Sequence, residues 1–178
     1  MSTFKKPVLI AGSLLLVFSL IFLAGGSLTF AEENDFDELK TLNYKIEGTY
    51  EGKPAEFWHR LKYIGTEDEV FRMDITVLES EETMSIILDK GNDTVFIKQM
   101  GTESWQQMPM MFSQMWDKYR EGAIGLSGSA DDWRSRAEDD QDEYILEGEE
   151  NGEEYSVKIY DIKVDEPIED SVFSPDGS

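Results

Sequence analysis

Phe71-Arg72-Met73-Asp74-Ile75-Thr76-Val77 alternates apolar and polar side chains from end to end. A period of two puts Phe71, Met73, Ile75 and Val77 on one side of an extended chain and Arg72, Asp74 and Thr76 on the other, which marks a strand with one buried and one wet face. The pattern continues in both directions. Toward the N-terminus, Ala55 to Ile64 sets Phe57, His59, Leu61 and Tyr63 against Trp58, Arg60 and Lys62. Before it, Leu42, Tyr44, Ile46 and Tyr50 alternate with Asn43, Lys45, Glu47, Thr49 and Glu51. Toward the C-terminus, Met84, Ile86 and Leu88 make a fourth strand and Thr94 to Met100 a fifth. The links are short and rich in turn formers: Gly52-Lys53-Pro54, Gly65 to Asp68 and Gly91-Asn92-Asp93. Parallel neighbours need crossovers of about a dozen residues, so these strands are expected to form an antiparallel meander.

The period then changes. In Trp105 to Tyr119, WQQMPMMFSQMWDKY, the apolar residues Met108, Met111, Phe112, Met115, Trp116 and Tyr119 recur at steps of three and four. That spacing predicts a short amphipathic helix with Pro109 in its first turn. Its apolar face needs a cover, and the only large apolar surface on offer is one face of the sheet. An ordinary core helix fits this stripe; so does a lid, because flexible thioethers can repack around an apolar ligand. Met108, Met110, Met111 and Met115 are also soft donors of the kind that bind Cu(I), but no Cys or nearby His joins them, so no metal is expected.

Past a small, polar stretch from Gly122 to Ala130, residues 131–137 offer a second short helix that Asp131 could cap. Two strands close the chain, Glu143 to Glu147 and Glu153 to Val164, joined around Asn151-Gly152, a strong hairpin signal. In the last strand the apolar set moves from Tyr155, Val157 and Ile159 to Tyr160, Ile162 and Val164. Such a change of phase predicts a bulge or bend in a curved sheet.

The chain has 178 residues, 40% of them hydrophobic, which fits one modest domain. Residues 1–31 read as a signal peptide or N-terminal membrane anchor. Lys5 and Lys6 precede an uncharged apolar run from Val8 to Ala24, and Thr29 and Ala31 suit cleavage after Ala31. The run is longer than the usual ~7–15 residues of a cleaved leader and approaches the ~20 that span a bilayer, so both fates stay open. In either case the lysines stay inside and the domain is exported, either secreted or tethered to the cytoplasmic membrane. Residues 32–40 form an acidic linker, and residues 41–178 the folded domain.

Every one of the 38 acidic residues lies beyond position 31, and the formal charge is −22. Such a chain repels phosphate backbones, which argues against nucleic acid as a partner. The absence of cysteine excludes disulfides, thiolate metal sites and cysteine catalysis. His59, the single histidine, falls on an apolar-facing strand position and reads as a hydrogen-bonded core residue. No serine or threonine sits in a nucleophile-elbow context, and no glycine-rich phosphate loop precedes a helix. The run Glu138 to Glu143 lacks the spacing of a calcium loop and reads as a solvated charge block. Neither catalytic activity nor a cofactor is expected.

The order of an export leader, a first strand, two longer strands ending in Phe71-Arg72-Met73-Asp74-Ile75, and the hairpin Ser85-Ile86-Ile87-Leu88-Asp89-Lys90-Gly91-Asn92-Asp93-Thr94-Val95-Phe96-Ile97 resembles the LolA/LolB-like lipoprotein-carrier superfamily. The closing segment Asp170-Ser171-Val172-Phe173-Ser174-Pro175-Asp176-Gly177 is similar to the D-x-x-F-x-P-x-G ending of that group. The resemblance implies a mainly β (α+β) domain: a strongly curved antiparallel sheet forming an unclosed β-barrel, with one or two short helices over its concave face. It further implies an extracytoplasmic carrier for a lipid, acyl chain or lipoprotein-like ligand. The expected ligand-binding residues are Phe57, Leu61, Tyr63, Phe71, Met73 and Ile75 from the sheet and Met108, Met111, Phe112, Met115, Trp116 and Tyr119 from the lid. Arg72 is matched to an arginine near the mouth of such carriers. The alternative is a membrane-tethered sensor or interaction domain that turns the same sheet toward an envelope protein.

Overall fold

A computed structural model describes residues 38–109, 112–113, 129–139, 143–150 and 153–175. They form one antiparallel eight-stranded sheet that does not close into a barrel, with one short α-helix. The strands are β1 (Thr41–Tyr50), β2 (Lys53–Lys62), β3 (Val70–Val77), β4 (Thr83–Asp89), β5 (Thr94–Lys98), β6 (Gln106–Gln107), β7 (Glu143–Glu150) and β8 (Glu153–Val164). Their order across the sheet is β6-β5-β4-β3-β2-β1-β8-β7. The meander expected from the short links is therefore present, and the C-terminal hairpin attaches to its β1 edge.

Register follows from the alternation. Three rows of side chains cross the apolar face: Leu42, Leu61, Phe71, Leu88 and Val95; Tyr44, His59, Met73, Ile86 and Ile97; and Ile46, Phe57, Ile75 and Met84. A slip of one residue in any strand would turn its apolar set to the other face, so burial locks the pairing. β1 and β2 meet through a two-residue turn in which Glu51 and Gly52 both have positive φ, 51° and 77°. That is the turn type whose twist matches a hairpin, and glycine takes its second position without strain. Lys53 and Pro54, expected within the turn, instead begin β2.

The helix α1 (Ala130–Glu138) starts one residue earlier than its apolar pattern indicated. Ser129, not Asp131, is the N-cap: its hydroxyl accepts from the Asp132 amide, and the Asp132 carboxylate accepts from the Ser129 amide. This reciprocal pair satisfies two amides that the first turn leaves open. α1 packs on the β8 side of the sheet and inserts Trp133, which is fully buried, over the apolar face. A 3₁₀ helix at Asp170–Phe173 lies on the opposite face, with Phe173 against Val70 and Ile87.

Two expectations near the middle of the chain need correction. Gln106 and Gln107 are not helical; they pair with Ile97 and Phe96 as β6, and the Met108 amide donates to the Val95 carbonyl at 2.8 Å. The cause is Pro109, whose ring disfavours helical geometry at the preceding residue and keeps Met108 extended. The fifth strand also ends at Lys98 rather than Met100. The helical stripe over Met111, Met115, Trp116 and Tyr119 lies outside the described residues, as does the Asn151-Gly152 turn.

The expected bulge is in β8. Lys45 pairs with Tyr160 and Asn43 with Lys163, so two residues, Asp161 and Ile162, oppose Tyr44 alone. Asp161 takes up the extra length in the left-handed region, at φ 50°. Tyr160 stays on the outer face while Val164 opposes Leu42 on the apolar face, which accounts for the shift of phase in the sequence.

Candidate functional site

The apolar face is the candidate site. Leu61, Phe71, Met73 and Ile75 are buried on it, Phe57 is half-buried beside them, and Phe112 and Met108 reach the same cluster from beyond β6. The structure thus brings together seven of the residues expected to meet a ligand. Met111, Met115, Trp116 and Tyr119 lie outside the described residues.

Tyr63 is the exception among the strand positions. β2 ends at Lys62, and Tyr63 adopts φ 57°, so the alternation breaks and its ring turns out to solvent, 44% exposed. Its hydroxyl lies 3.3 Å from Asp170 Oδ1, on the side of the C-terminal segment.

One polar pair stands in the middle of the apolar rows. His59 Nδ1 and the Tyr44 hydroxyl lie 2.8 Å apart on neighbouring strands, and the phenol ring of Tyr44 packs 4.8 Å from both the His59 and Trp133 rings. The Phe71 ring meets His59 edge-on at 5.8 Å. Burial in these surroundings pushes the imidazole pKa down to about 3 and pushes that of the Tyr44 phenol up. Both groups are therefore neutral at neutral pH and share one hydrogen bond, the arrangement that makes a buried polar pair tolerable. Among the described residues the ring of His59 meets Tyr44 and Phe71, which places it in the wall of the apolar face.

Arg72 lies on the other face. Its Nε donates to Asp74 Oδ1 at 3.1 Å, its Nη1 donates to the Val172 carbonyl at 2.8 Å, and its guanidinium sits 5.4 Å from the Trp105 ring centre. These contacts tie the C-terminal segment to β3. Arg60, buried on the adjacent strand, also pairs with Asp74 and stacks on Trp58 at 3.9 Å. Desolvation, with Arg72 beside it, lowers the Arg60 pKa to about 10.

Sequence reasoning gave this outer face to solvent, yet Arg60, Asp74, Ser85 and Ile87 are buried on it. The cover includes residues 165–174, strapped down by Thr41 Oγ1 to the Glu166 carbonyl at 2.6 Å, Lys62 Nζ to the Ile168 carbonyl at 2.7 Å, and the Arg72 bond. Phe96, Ile87 and Val70 were the available signal, since they put apolar side chains on the polar side of their strands.

A crevice of about 210 Å³ opens between α1 and the β7–β8 hairpin, lined by Arg136, Asp139, Glu143, Tyr144, Asp161 and Ile162. It is smaller than the ~300–1,000 Å³ of usual ligand sites, and its Arg136 guanidinium already lies over the Tyr144 ring at 4.5 Å. Among the described residues no three His or carboxylate side chains cluster as a metal site, and no helix is long and apolar enough to cross a membrane.

The fold and site define the class: an open antiparallel β-sheet with one continuous apolar face under a short helix. Comparison of the chain with protein-family models, curated proteins and solved structures finds no match.

Proposed function

We propose that this protein is an extracytoplasmic binding protein, a carrier in the manner of the LolA/LolB-like group, for a lipid, acyl chain or lipoprotein-like hydrophobic ligand. The observation that carries the reading is the set of three unbroken side-chain rows, two across five strands and one across four, on a sheet that does not close. A closed barrel or a two-sheet sandwich would cover such a face with regular structure from its own sheets. Here the face depends on separate pieces, including Leu39, Phe112, Ala130 and Trp133.

The chemistry of the wall agrees with an acyl ligand. Aliphatic side chains, Met73 and Met84 supply non-directional contact, which scales with area and asks for no exact shape. Tyr44 and His59, bonded to each other, add no charge. A ligand held here would lie between the sheet and the segment that begins at Met108, and binding would involve no catalysis.

Organic extraction of the purified exported domain, followed by mass spectrometry, is the test. A co-purifying lipid or acyl compound, displaceable by a fluorescent fatty-acid analogue, supports the reading. An empty extract together with no uptake of the analogue overturns it.

The second reading, a membrane-tethered sensor, draws on the length of the apolar run Val8 to Ala24. Sequencing the N-terminus of the exported form separates the two, since a chain beginning at Glu32 has lost its tether.

A further inference from the structure

The turn between β4 and β5 carries Asn92-Asp93-Thr94, the Asn-x-Thr pattern that oligosaccharyl transferases recognise. The chain has three other asparagines, Asn34, Asn43 and Asn151, and none is followed two residues later by Ser or Thr. Asn92 stands at the tip of the hairpin and is exposed. We propose that Asn92 is an N-glycosylation site of the exported chain. The proposal rests on the reading that the domain leaves the cytoplasm.

The geometry of the turn accommodates the modification. Asn92 Nδ2 donates one hydrogen to Asp89 Oδ2 at 2.8 Å, and the Asn92 amide donates to Asp89 Oδ1 at 3.0 Å. A side-chain amide carries two hydrogens. One is held by Asp89, and the other is free to be replaced by a sugar. In the transfer, Nδ2 gives that proton up to a basic group of the transferase and bonds to the anomeric carbon of a lipid-linked oligosaccharide. The bond from that carbon to phosphate breaks, and the lipid phosphate leaves. The product keeps one N–H, which leaves Nδ2 a donor for Asp89 in the folded turn.

The rest of the motif is shut once the domain folds. The Thr94 hydroxyl is buried without a hydrogen-bond partner among the described residues, and Thr94 pairs with Asp89 at the start of β5. Asp93 Oδ1 accepts from the Ser113 amide at 3.1 Å. A buried hydroxyl with no partner is uncommon and costs stability. Recognition of the threonine in the newly exported, unfolded chain gives that hydroxyl a use which the folded domain does not. The glycan is thus added before β4 and β5 pair, and it then projects from the hairpin tip.

The test uses the full chain from the cells that make it. Trypsin cuts after Lys90 and Lys98, so the motif is recovered as the peptide Gly91 to Lys98. Intact cells are first treated with an external protease to establish whether the domain is outside. Mass spectrometry then reads the peptide for hexose or N-acetylhexosamine fragment ions. The expected result is a glycopeptide modified at Asn92, lost completely in Asn92→Gln and Thr94→Ala and retained in Thr94→Ser. Refolded, unmodified protein offered to membranes bearing the transferase and its lipid-linked donor should stay unmodified, whereas a denatured form or the isolated peptide should accept sugar. A domain that is digested from outside yet yields only the bare peptide overturns the glycosylation while leaving export standing. A domain protected from the protease with a bare peptide overturns both.

Discussion

Arg60 and Arg72 lie directly opposite each other on β2 and β3, and both guanidinium groups pair with one carboxylate, Asp74. Like charges in register across two strands are destabilising on their own. Burial sharpens the conflict, because charge removed from water is costly unless it is paired. Trp58 stacked on Arg60, and Val172 bonded to Arg72, take up part of the donor surface. Asp74 is the only acidic partner the two arginines are seen to share among the described residues.

Removal of that carboxylate is the first prediction. Asp74→Ala strands two cations in a mostly buried site and is expected to cost about 3–5 kcal/mol, the range for breaking a buried pair. The triple change Arg60→Met, Arg72→Leu, Asp74→Leu removes the charges together and is expected to cost less than the single one. Urea melts of the two variants check it; a single variant as stable as the parent shows that the triad contributes little.

A second prediction concerns acid. The His59 pKa is depressed to about 3 in the folded state, below its ordinary value near 6.5, so the unfolded chain binds the extra proton first as pH falls. The stabilisation is complete above about pH 6.5 and is lost on descending toward pH 3, by up to about 1.4 kcal/mol per unit. His59→Gln removes the titration. Between about pH 6.5 and 5, above most carboxylate titration, the parent should lose stability relative to this variant, as read from unfolding midpoints. Parallel pH profiles sink the argument.

The apolar face was legible in the sequence because its information is local. Phe71, Met73 and Ile75 declare their side by spacing alone, as Leu42, Tyr44 and Ile46 do on β1. The outer face was not, because its burial comes from a segment about 100 residues away: Arg72 reaches Val172 only after the C-terminal segment folds back. Tyr63 was misread for another reason. Period-two alternation holds while φ stays extended, and nothing in Lys62-Tyr63-Ile64 announces the left-handed residue that ends β2. At Met108 the sequence carried two signals, helical spacing and the proline after it, and the proline decided the backbone.

The bulge supplies a third prediction. Asp161 holds a left-handed conformation that short polar residues tolerate and branched ones do not. Asp161→Gly is expected to leave stability nearly unchanged, since the Lys163 contact it loses is an exposed pair of small worth. Asp161→Val is expected to cost about 1–2 kcal/mol through backbone strain. Thermal unfolding of both variants provides the measurement, and equal midpoints would remove strain as the explanation.

The last prediction separates a lid from an ordinary core. Trp133, fully buried against Tyr44, belongs to the permanent cover, and Trp133→Ala is expected to cost about 3–5 kcal/mol. Met108 is only half-buried at the edge of the same cluster, where the chain leaves β6. If the segment beyond it is a lid, its side chains pack incompletely without ligand and truncation is cheap. Met108→Ala is then expected to cost less than about 2 kcal/mol, the lower end of the range for methionine in a packed core. The same change should weaken uptake of a fluorescent fatty-acid analogue severalfold, because contact area is lost from the bound state. Phe112→Ala tests the next position along; Phe112 is buried, so it should weaken uptake further and cost more stability. Urea melts and dye titrations on all three variants read the two effects separately. Loss of stability at Met108 as large as at Trp133, with uptake unchanged, assigns the whole cluster to the core and moves the search for a partner to the acidic outer surface.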